Sequence, residues 1–411
     1  MKIWKKTIFA FLLIILIVGT AVTINSGSNA FDSLKPLKSD TSGFYQRKIL
    51  YSSLIYKYDT FIRQSFQKEN LPGLAYAIVK DNQILLIKTY GVKEFGKTDS
   101  INQNTVFRLG SVSKGFASVL TGILVDEHKL SWDDQVIKYL PDFTLKDSAF
   151  TSQLTVRNIL SQTSGLPTHT YTDMLDCNVP YDQIKPMLAN VPPMCAPGKL
   201  YSYQNVAYSL IGDIVKSATG EDYKTLVTNK IFTPLYMQDA SLDFETISSD
   251  TNVAMPHVYA GNHMWSSQKL NSRYYTVLPA SGVNASISDM SKWLLGLLGN
   301  YPEFIPEKSL EEVYTPQIPT PIKRRFRYHW KNLGKLYYGL GWRVFDVNSD
   351  EIIYHGGYVK GYRAEIALDY KQKVGIAVLF NANCHLSNTC IPTFWEYYFE
   401  DFNNLFAVAL K

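Results

Sequence analysis

The decapeptide FRLGSVSKGF, residues 107–116, allows three interpretations, and the predicted fold depends on which of them holds. Ser111 and Lys114 form S-x-x-K, a serine one helical turn before a lysine. Ser113 stands at the centre of S-x-S-x-G, which is close to the G-x-S-x-G nucleophile elbow of α/β-hydrolases. A serine before an apolar run is also an ordinary helix N-cap, which requires no chemistry. The three interpretations imply two different enzymes or none.

Lys114 distinguishes between these interpretations. A capping box has Glu or Gln at that position, and a cation in the first turn opposes the helix dipole. If a helix begins near Ser111, then Ser111 and Lys114 share a face, whereas Ser113 lies about 100° around the helix from Lys114. Burial and the dipole would both lower the pKa of this lysine, which favours a neutral amine that accepts a serine proton. Because S-x-x-K also occurs at residues 65–68 and 266–269, other parts of the chain must support the assignment.

Two downstream motifs offer the further groups that a lysine-activated serine needs. Alternate residues of an extended segment point the same way, so Tyr203 and Asn205 of Y-x-N can face one cleft. Asn205 is equally suited to cap the helix that follows it, and this alternative stays open. His355-Gly356-Gly357 ends a strand, where the two glycines allow a ligand to lie against the strand edge. An α/β-hydrolase would need an acid partner for His355, and none is evident.

Hydrophobic patterning predicts an α+β fold in which both ends of the chain share one sheet. We expect the first and last thirds to form an antiparallel sheet flanked by helices, and the middle to form an all-helical lobe. A cleft between the two lobes is the expected place for a site. The predicted elements are residues 50–66, 74–79, 84–90, 116–127, 154–160, 205–215, 289–298, 337–345, 351–357, 362–370, 373–381 and a helix from about Pro392.

One catalytic domain is predicted over residues 45–400, since no flexible linker and no internal repeat divides the chain. Its sheet-containing lobe comprises residues 45–125 and 335–405, and its helical lobe comprises residues 126–334. The composition, 46% hydrophobic and 19% charged, is that of an ordinary globular protein. The formal net charge of +5 falls to +2 without residues 1–30, which hold three lysines and no acid. No nucleic-acid partner is therefore expected.

The N-terminal 30 residues predict export. Three lysines precede an apolar run, Ile8–Val18, and the small residues at 28–30 suit cleavage before Phe31. The apolar run extends to about the length of a minimal membrane helix, so an uncleaved anchor is the alternative. In either case we expect an extracytoplasmic, periplasmic protein, soluble or anchored to the inner membrane. The membrane would be a partner only through this segment.

Four cysteines fit an oxidising compartment. We expect disulfides between Cys177 and Cys195 and between Cys384 and Cys390, with four reduced cysteines as the alternative. The spacings are not those of zinc ligands, and no histidine pair has helical spacing, so no metal is expected.

A basic cluster precedes the last strands and consists of Lys323, Arg324, Arg325, Arg327 and Lys331. Such a run is most often a solvated loop. The functional alternative is contact with an anionic envelope polymer or with lipid head groups.

The three motifs, in the order S-x-x-K, Y-x-N and H-G-G, resemble the active site of class C β-lactamases and related penicillin-recognising serine hydrolases. The resemblance spans about residues 45–400 and includes LTVRNILSQTSGLP at 154–167 and GYRAEIALD at 361–369. It implies a β-lactamase/transpeptidase-like fold, with an antiparallel sheet beside an all-helical lobe. It implies neither a metal nor an organic cofactor.

Carried over to this sequence, the resemblance implies a role for each motif residue. Ser111 would be the acylated nucleophile, Lys114 its proton partner and Tyr203 the general acid/base. Asn205 would contact the substrate amide. The backbone N–H groups of Ser111 and Tyr358 would form the oxyanion hole.

The third motif departs from that of true class C β-lactamases, which have Lys-Thr-Gly. Here His355, Gly356 and Gly357 would contact the substrate, and a histidine is only partly charged near neutral pH. Binding of a substrate carboxylate would pass to Arg363 or Lys360, or the substrate lacks that carboxylate. Efficient β-lactam hydrolysis is therefore not expected.

The sequence predicts an exported serine hydrolase that acts through an acyl-enzyme on a small-molecule or peptide substrate. An amide or ester substrate is favoured over a β-lactam. The alternative is a penicillin-binding sensor or scaffold with little turnover.

Overall fold

The computed structural model describes the backbone of residues 41–409 and the side chains of residues 51–324 and 326–401. The chain divides after Ser52, and the unit that begins at Ser53 holds the sheet and the candidate site. The predicted export segment, residues 1–30, lies outside the described residues. Within the described part of the chain, no helix is both long enough and apolar enough to cross a membrane.

An antiparallel sheet joins the beginning and the end of the described chain. The strands are β1 (Gly73–Lys80), β2 (Gln83–Gly91), β3 (Phe107–Arg108), β4 (His257–Gly261), β5 (Met264–Ser267), β6 (Asn284–Ala285), β7 (Ile318–Pro319), β8 (Leu333–Tyr338), β9 (Arg343–Val347), β10 (Asp350–Val359), β11 (Tyr362–Asp369) and β12 (Val374–Phe380). The sheet has the order β2-β1-β12-β11-β10-β9-β8-β7. β1 pairs with β12 from Leu74 opposite Phe380 to Lys80 opposite Val374. This pairing confirms that the first and last thirds of the chain share one sheet.

Helices cover both faces of this sheet. The helices of the described chain, many of which lie in its middle part, are α1 (Thr41–Glu69), α2 (Ser113–Asp126), α3 (Val136–Tyr139), α4 (Ser148–Gln153), α5 (Val156–Leu160), α6 (Thr172–Asp176), α7 (Tyr181–Ile184), α8 (Val206–Thr219), α9 (Tyr223–Val227), α10 (Phe244–Ser249), α11 (Leu278–Ser281), α12 (Ile287–Leu297), α13 (Glu307–Tyr314), α14 (Arg324–His329) and α15 (Leu386–Ala409). Leu54, Tyr58 and Ile62 of α1 form a buried stripe at helical spacing, and Tyr58 meets Tyr76 of β1 edge-on at 5.5 Å. α12 packs on β1 and β12 from the opposite face.

Helix α2 is buried along most of its length and packs mainly against helices α11 and α13. Phe116 stacks on Trp293 of α12, with ring centroids 4.1 Å apart. Gly115 leaves room for the Trp342 ring, which a Cβ at this position would overlap. These contacts fix the first turn of α2, which carries Lys114.

The closing helix begins earlier than the sequence predicted. Proline favours the first turn of a helix, so the pattern placed the start near Pro392, whereas α15 begins at Leu386 and has Pro392 inside it. The carboxylate of Glu69, at the end of α1, accepts hydrogen bonds from the backbone N–H groups of His385 and Leu386, both at 2.9 Å. A cap that is supplied by a residue more than 300 positions away leaves no local signal.

The two predicted disulfides are wrong, because all four cysteines are free thiols. Cys390 lies within α15, and its Sγ donates to the Ser387 carbonyl at 3.7 Å, which a disulfide sulfur cannot do. Burial raises the pKa of Cys384 to about 12 and raises that of Cys390 as well, so both stay protonated. Cys177 ends the short helix α6 with its side chain exposed, and Cys195 lies in a separate loop.

Candidate active site

Ser111 lies in a 3₁₀ turn, Gly110–Val112, and α2 begins just after it at Ser113. Side chains three residues apart eclipse in a 3₁₀ turn, which brings the side chain of Lys114 towards Ser111. The N-cap position of α2 is Val112, and no side chain caps the helix. The interpretation of Ser111 as a helix cap is therefore wrong.

Lys114 has no exposed surface, and its amine is held by polar groups that carry no negative charge. Its Nζ lies 2.8 Å from Asn205 Oδ1, 3.0 Å from the Ala280 carbonyl oxygen and 3.4 Å from Ser111 Oγ. The centroid of the Tyr203 ring is 4.7 Å from Nζ. Two sequence motifs, S-x-x-K and Y-x-N, thus meet at one nitrogen atom.

These surroundings favour the neutral amine. Burial holds the pKa of Lys114 well below its usual range, and the nearby Arg343 cation lowers it further. A neutral amine has two N–H donors and one lone pair. The oxygens of Asn205 and Ala280 take the two donors, which leaves the lone pair for the hydroxyl proton of Ser111.

Asn205 occupies the N-cap position of α8, but its side chain makes no capping hydrogen bond. Its Oδ1 accepts from Lys114 instead, so the amide belongs to the site rather than to the helix end. Tyr203 is 8% exposed and lies on the same side, beside the lysine. The expectation that Tyr203 and Asn205 face one place therefore agrees with the geometry.

A loop clamps the segment that carries Tyr203. The side-chain oxygen of Gln162 accepts from the Gln204 N–H at 2.6 Å, and its Nε2 donates to the Gln204 carbonyl at 3.2 Å. The Ser202 hydroxyl donates to the Leu166 carbonyl at 2.6 Å. Because these bonds hold the residues on both sides of Tyr203, the phenol has a fixed position next to Lys114.

Ser113 makes a structural contact away from the amine. Its side chain is buried, and its Oγ accepts a hydrogen bond of 3.0 Å from the Val283 N–H. The Leu109 N–H donates to the Val283 carbonyl, also at 3.0 Å, so the Ser111 turn is tied to this segment from both sides. The α/β-hydrolase elbow centred on Ser113 is wrong, because the sheet is antiparallel and this hydroxyl is already engaged.

Strand β10 passes directly against the Ser111 turn. A Cβ on Gly110 would lie 2.7 Å from the Tyr358 nitrogen, and a Cβ on Gly357 would lie 3.1 Å from the Ser111 nitrogen and overlap the Leu109 carbonyl oxygen. Gly110 also has a φ of 52°, which favours glycine. The two glycines thus bring together the segments that hold the backbone N–H groups of Ser111 and Tyr358.

Gly357→Ala is expected to lower kcat by about 100-fold, because the added methyl must push β10 away from the Ser111 turn. Steady-state kinetics with a chromogenic ester would measure the loss. Gly212→Ala in α8 is a matched control, since the nearest atom from outside its own helix, Pro279 Cγ, would lie 3.1 Å from the new Cβ. Wild-type kcat in the Gly357→Ala variant would show that the close approach has no role.

The ring of His355 is held within the protein. The residue is 1% exposed, its Nδ1 lies 3.0 Å from the carbonyl oxygen of the next residue, and its Nε2 lies 3.3 Å from Tyr338 Oη. The His355 and Tyr203 ring centroids are 6.4 Å apart.

β9 pairs with β10 only as far as Arg343 opposite Tyr354. From His355 onward, this edge of β10 therefore has no strand partner among the described residues.

The structure does not bring Arg363 to Ser111, contrary to the expected substrate contact. Arg363 forms an ion pair with Glu365, and Tyr354 donates to Glu365 Oε2 at 2.7 Å. Tyr354 packs in the core that α1 and α15 cover, on the opposite face of the sheet from α12. A Cβ on Gly356 would lie 2.7 Å from the Glu365 carboxylate, so this cluster requires the glycine.

The sequence model of the family described as Beta-lactamase matches residues 58–385, a range that contains all three motifs. The chain belongs to the beta-lactamase family. The predicted family is thereby confirmed.

Two relatives resemble this beta-lactamase family member over most of its length. It is 26% identical to Protein flp of Staphylococcus aureus (strain NCTC 8325 / PS 47) over 330 residues, which cover 79% of this chain and 62% of flp. It is 25% identical to Unguisins hydrolase ungD' of Aspergillus campestris over 349 residues, which cover 83% of this chain and 64% of that protein. The chain therefore spans less than two thirds of either relative.

A solved structure supports the fold. The octameric penicillin-binding protein homologue from Pyrococcus abyssi superposes with a TM-score of 0.71 at 24% identity, and the match covers 80% of this chain and 74% of that one. The match and the antiparallel sheet confirm the predicted α+β, β-lactamase/transpeptidase-like fold class.

Sequence reasoning missed three residues around Tyr203 in this beta-lactamase family member. Arg343 is buried, with its guanidinium carbon 5.9 Å from the Tyr203 ring centroid. The His169 ring lies 5.4 Å from that of Tyr203, and Gln162 clamps the segment next to it. The only local signal was a charged residue inside the apolar run YYGLGWRVF, which could have marked Arg343.

Proposed function

We propose that this protein is an exported serine hydrolase that acylates Ser111 and releases the acyl group to water, with amides or esters preferred over β-lactams. The observation that carries the proposal is the buried amine of Lys114, 3.4 Å from Ser111 Oγ and without a carboxylate partner among the described residues. A lysine in this setting can act as the base for a serine nucleophile. Membership of the beta-lactamase family supports the same class of enzyme.

In acylation, Ser111 Oγ attacks the carbonyl carbon of the substrate while its proton moves to Lys114 Nζ. The N–H groups of Ser111 and Tyr358 stabilise the negative oxygen that forms. When the carbonyl re-forms and the bond to the leaving group breaks, Tyr203 passes a proton to the departing amine or alcohol. Lys114 then passes the serine proton on to Tyr203, which restores both groups. Water attacks the acyl-enzyme ester and gives one proton to Lys114, which passes it to Ser111 Oγ as the ester bond breaks and the carboxylic acid leaves.

Arg343 is the group we assign to an anionic part of the substrate. No carboxylate of the described residues forms an ion pair with it, and its surroundings are the rings of Tyr201, Tyr203 and Tyr338 at 5.6 to 6.0 Å. Arginine stays charged at every physiological pH, whereas histidine does not. The cation that the third motif lacks at His355 can thus come from β9.

Arg343→Gln is expected to raise KM about tenfold for an ester whose acyl chain carries a carboxylate, because the variant removes the cation that the carboxylate would meet. KM for a neutral ester of the same length should change less than about twofold. Arg343→Lys, which keeps the charge, is the matched control. Equal increases in KM for both esters would contradict the assignment.

Turnover separates the proposed enzyme from a penicillin-binding sensor. We expect steady product release from a chromogenic ester, about tenfold or more faster than from a chromogenic β-lactam, because no lysine stands at His355. Both substrates would be followed at equal enzyme concentration over many equivalents. A single stoichiometric burst with every substrate would contradict the proposed hydrolase and favour the sensor.

Export rests on the N-terminal sequence, whose lysines, apolar run and small-residue site are typical of a signal peptide or anchor. Fractionation of cells that express the full chain with a C-terminal tag would test it. Recovery of the full-length protein in the cytosol would contradict export.

A further inference from the structure

Tyr338, the last residue of β8, lies fully buried beside the candidate site. Its hydroxyl oxygen is 3.3 Å from His355 Nε2. Its ring lies 5.3 Å from the ring of Tyr201, and the guanidinium carbon of Arg343 lies 5.6 Å from its centroid. Tyr338 therefore lies against three segments that border the site, namely β10, β9 and the segment that leads to Tyr203.

The hydrogen bonds of His355 define which of its ring nitrogens carries the proton. Its Nδ1 lies 3.0 Å from the carbonyl oxygen of Gly356, which can only accept, so Nδ1 is the N–H donor. In a neutral ring the other nitrogen is an acceptor, and the hydroxyl of Tyr338 donates to it. A protonated ring would instead present a second N–H at Nε2 and would displace the hydroxyl proton. The contact with Tyr338 therefore favours a neutral imidazole with its proton on Nδ1.

Burial makes this hydrogen bond costly to break. Tyr338 has no exposed surface, so its hydroxyl cannot donate to bulk water instead. Leaving a buried donor unsatisfied costs more free energy than one hydrogen bond contributes to stability. The hydroxyl thus holds the ring of His355 in one place and in one protonation state.

The ring of His355 is one of the groups that surround Tyr203. The two ring centroids are 6.4 Å apart, and the Tyr203 ring lies 4.7 Å from Lys114 Nζ on its own side. The clamp by Gln162 fixes the backbone next to Tyr203 but does not fix the rotation of the phenol ring. That rotation depends on the side chains that pack around the ring, and His355 is among them.

The rotation of the phenol affects the chemistry assigned to Tyr203. A general acid must come within about 2.6–3.2 Å of the atom that takes its proton. A misplacement of about 1 Å can lower a rate about 100-fold. Tyr338 would act on this distance through His355, without touching the substrate itself.

We infer that Tyr338 is a positioning residue of the proposed hydrolase, and that its hydroxyl fixes His355 as the neutral ring that orients Tyr203 for proton transfer to the leaving group. This inference rests on the proposed function and adds one residue to its machinery. It also gives the histidine of the third motif a task other than the binding of a substrate carboxylate. Arg343, 5.9 Å from the Tyr203 ring, then remains the cation for such a group.

Tyr338→Phe removes only the hydroxyl, and two acetate esters test its effect. One ester releases p-nitrophenol, whose anion departs without a proton, and the other releases a simple aliphatic alcohol, which departs only when it is protonated. We expect kcat/KM to fall about tenfold or more on the aliphatic ester and to stay within about twofold on the nitrophenyl ester. A residue that only supports the fold would lower both values by the same factor.

Tyr58→Phe is the matched control, because Tyr58 is also fully buried and its hydroxyl donates to the Cys390 carbonyl at 3.2 Å, between α1 and α15. This variant loses a similar hydrogen bond and should change neither rate. His355→Gln, whose amide oxygen can accept from Tyr338, should keep more activity on the aliphatic ester than His355→Leu, which offers no acceptor. Equal losses on both esters in Tyr338→Phe, or no loss on either, would overturn the inference.

Nuclear magnetic resonance of the protein with isotope-labelled histidine gives a readout that is independent of turnover. The signals of His355 are those that the His355→Gln variant lacks. We expect a proton on Nδ1 and none on Nε2, and Tyr338→Phe should shift the Nε2 resonance. A proton on Nε2 in the unchanged protein would overturn the inference. If the unchanged protein turns over neither ester, the proposed function fails, and the Nε2 shift still decides whether Tyr338 holds His355.

Discussion

Ser111→Ala is expected to abolish covalent labelling by a fluorescent fluorophosphonate and to lower kcat/KM for a chromogenic ester by a factor on the order of 10⁴ to 10⁶. The variant removes the hydroxyl that lies 3.4 Å from Lys114 Nζ and that the amine can deprotonate. Labelling would be read by intact mass after incubation with one equivalent of reagent. The fold should persist, because Ser111 is partly exposed and caps no helix.

Ser113→Ala is the matched control and should keep both the label and most of the activity. The variant should have a lower free energy of unfolding, because the buried N–H of Val283 loses its hydrogen-bond acceptor. Leaving such a donor unsatisfied costs about 1–3 kcal/mol of the free energy of unfolding. Denaturant unfolding of the two variants would show the difference. Label that persists in Ser111→Ala and vanishes in Ser113→Ala would refute the assignment of the nucleophile.

Much of the fold could be predicted from local pattern. The hairpin of β1 and β2, strands β10 to β12 and helices α2, α8 and α12 lie where the apolar runs of the sequence predict them. The start of α15 could not be predicted, because its cap is Glu69 from the other end of the chain. The 3₁₀ turn before α2 was also missed, because it depends on contact with β10, which lies more than 240 residues away.

The candidate site also contains some residues that the sequence could identify and others that only tertiary packing reveals. Lys114 could be recognised because a cation in the first turn of an apolar helix has no local reason to be there. Arg343 and His169 could not, because only tertiary packing brings them to Tyr203. Arg363 pairs with Glu365 instead of facing Ser111 for a geometric reason: alternate residues of a strand face opposite sides of the sheet.

The cysteines show that an expected oxidising compartment does not by itself predict disulfides. Their number and spacing suited two disulfides in an exported protein, and that prediction was wrong. Spacing along the chain does not give the direction of the side chains. Cys390 points its thiol at the Ser387 carbonyl of its own helix, and Cys177 is exposed on a different loop from Cys195.

Lys114→Met is expected to lower kcat/KM by about 10²- to 10⁴-fold, the usual contribution of a positioned base. Methionine fills a similar volume but cannot accept the proton of Ser111. Lys114→Arg is the sharper variant, because arginine keeps the positive charge and never deprotonates. If the amine served only as a cation, Lys114→Arg would retain activity; if it serves as the base, both variants lose it.

The pH profile tests the same role without a change at Lys114 itself. The base must be neutral, so kcat/KM should rise as the pH increases through the pKa of Lys114, which burial and Arg343 hold well below its usual range. Arg343→Gln removes the cation and should move this acidic limb to higher pH, whereas Arg343→Lys should leave it in place. Both profiles should be measured with a neutral ester, so that binding of a substrate carboxylate does not contribute. A limb that stays at the same pH in Arg343→Gln would mean that a group other than Lys114 sets it.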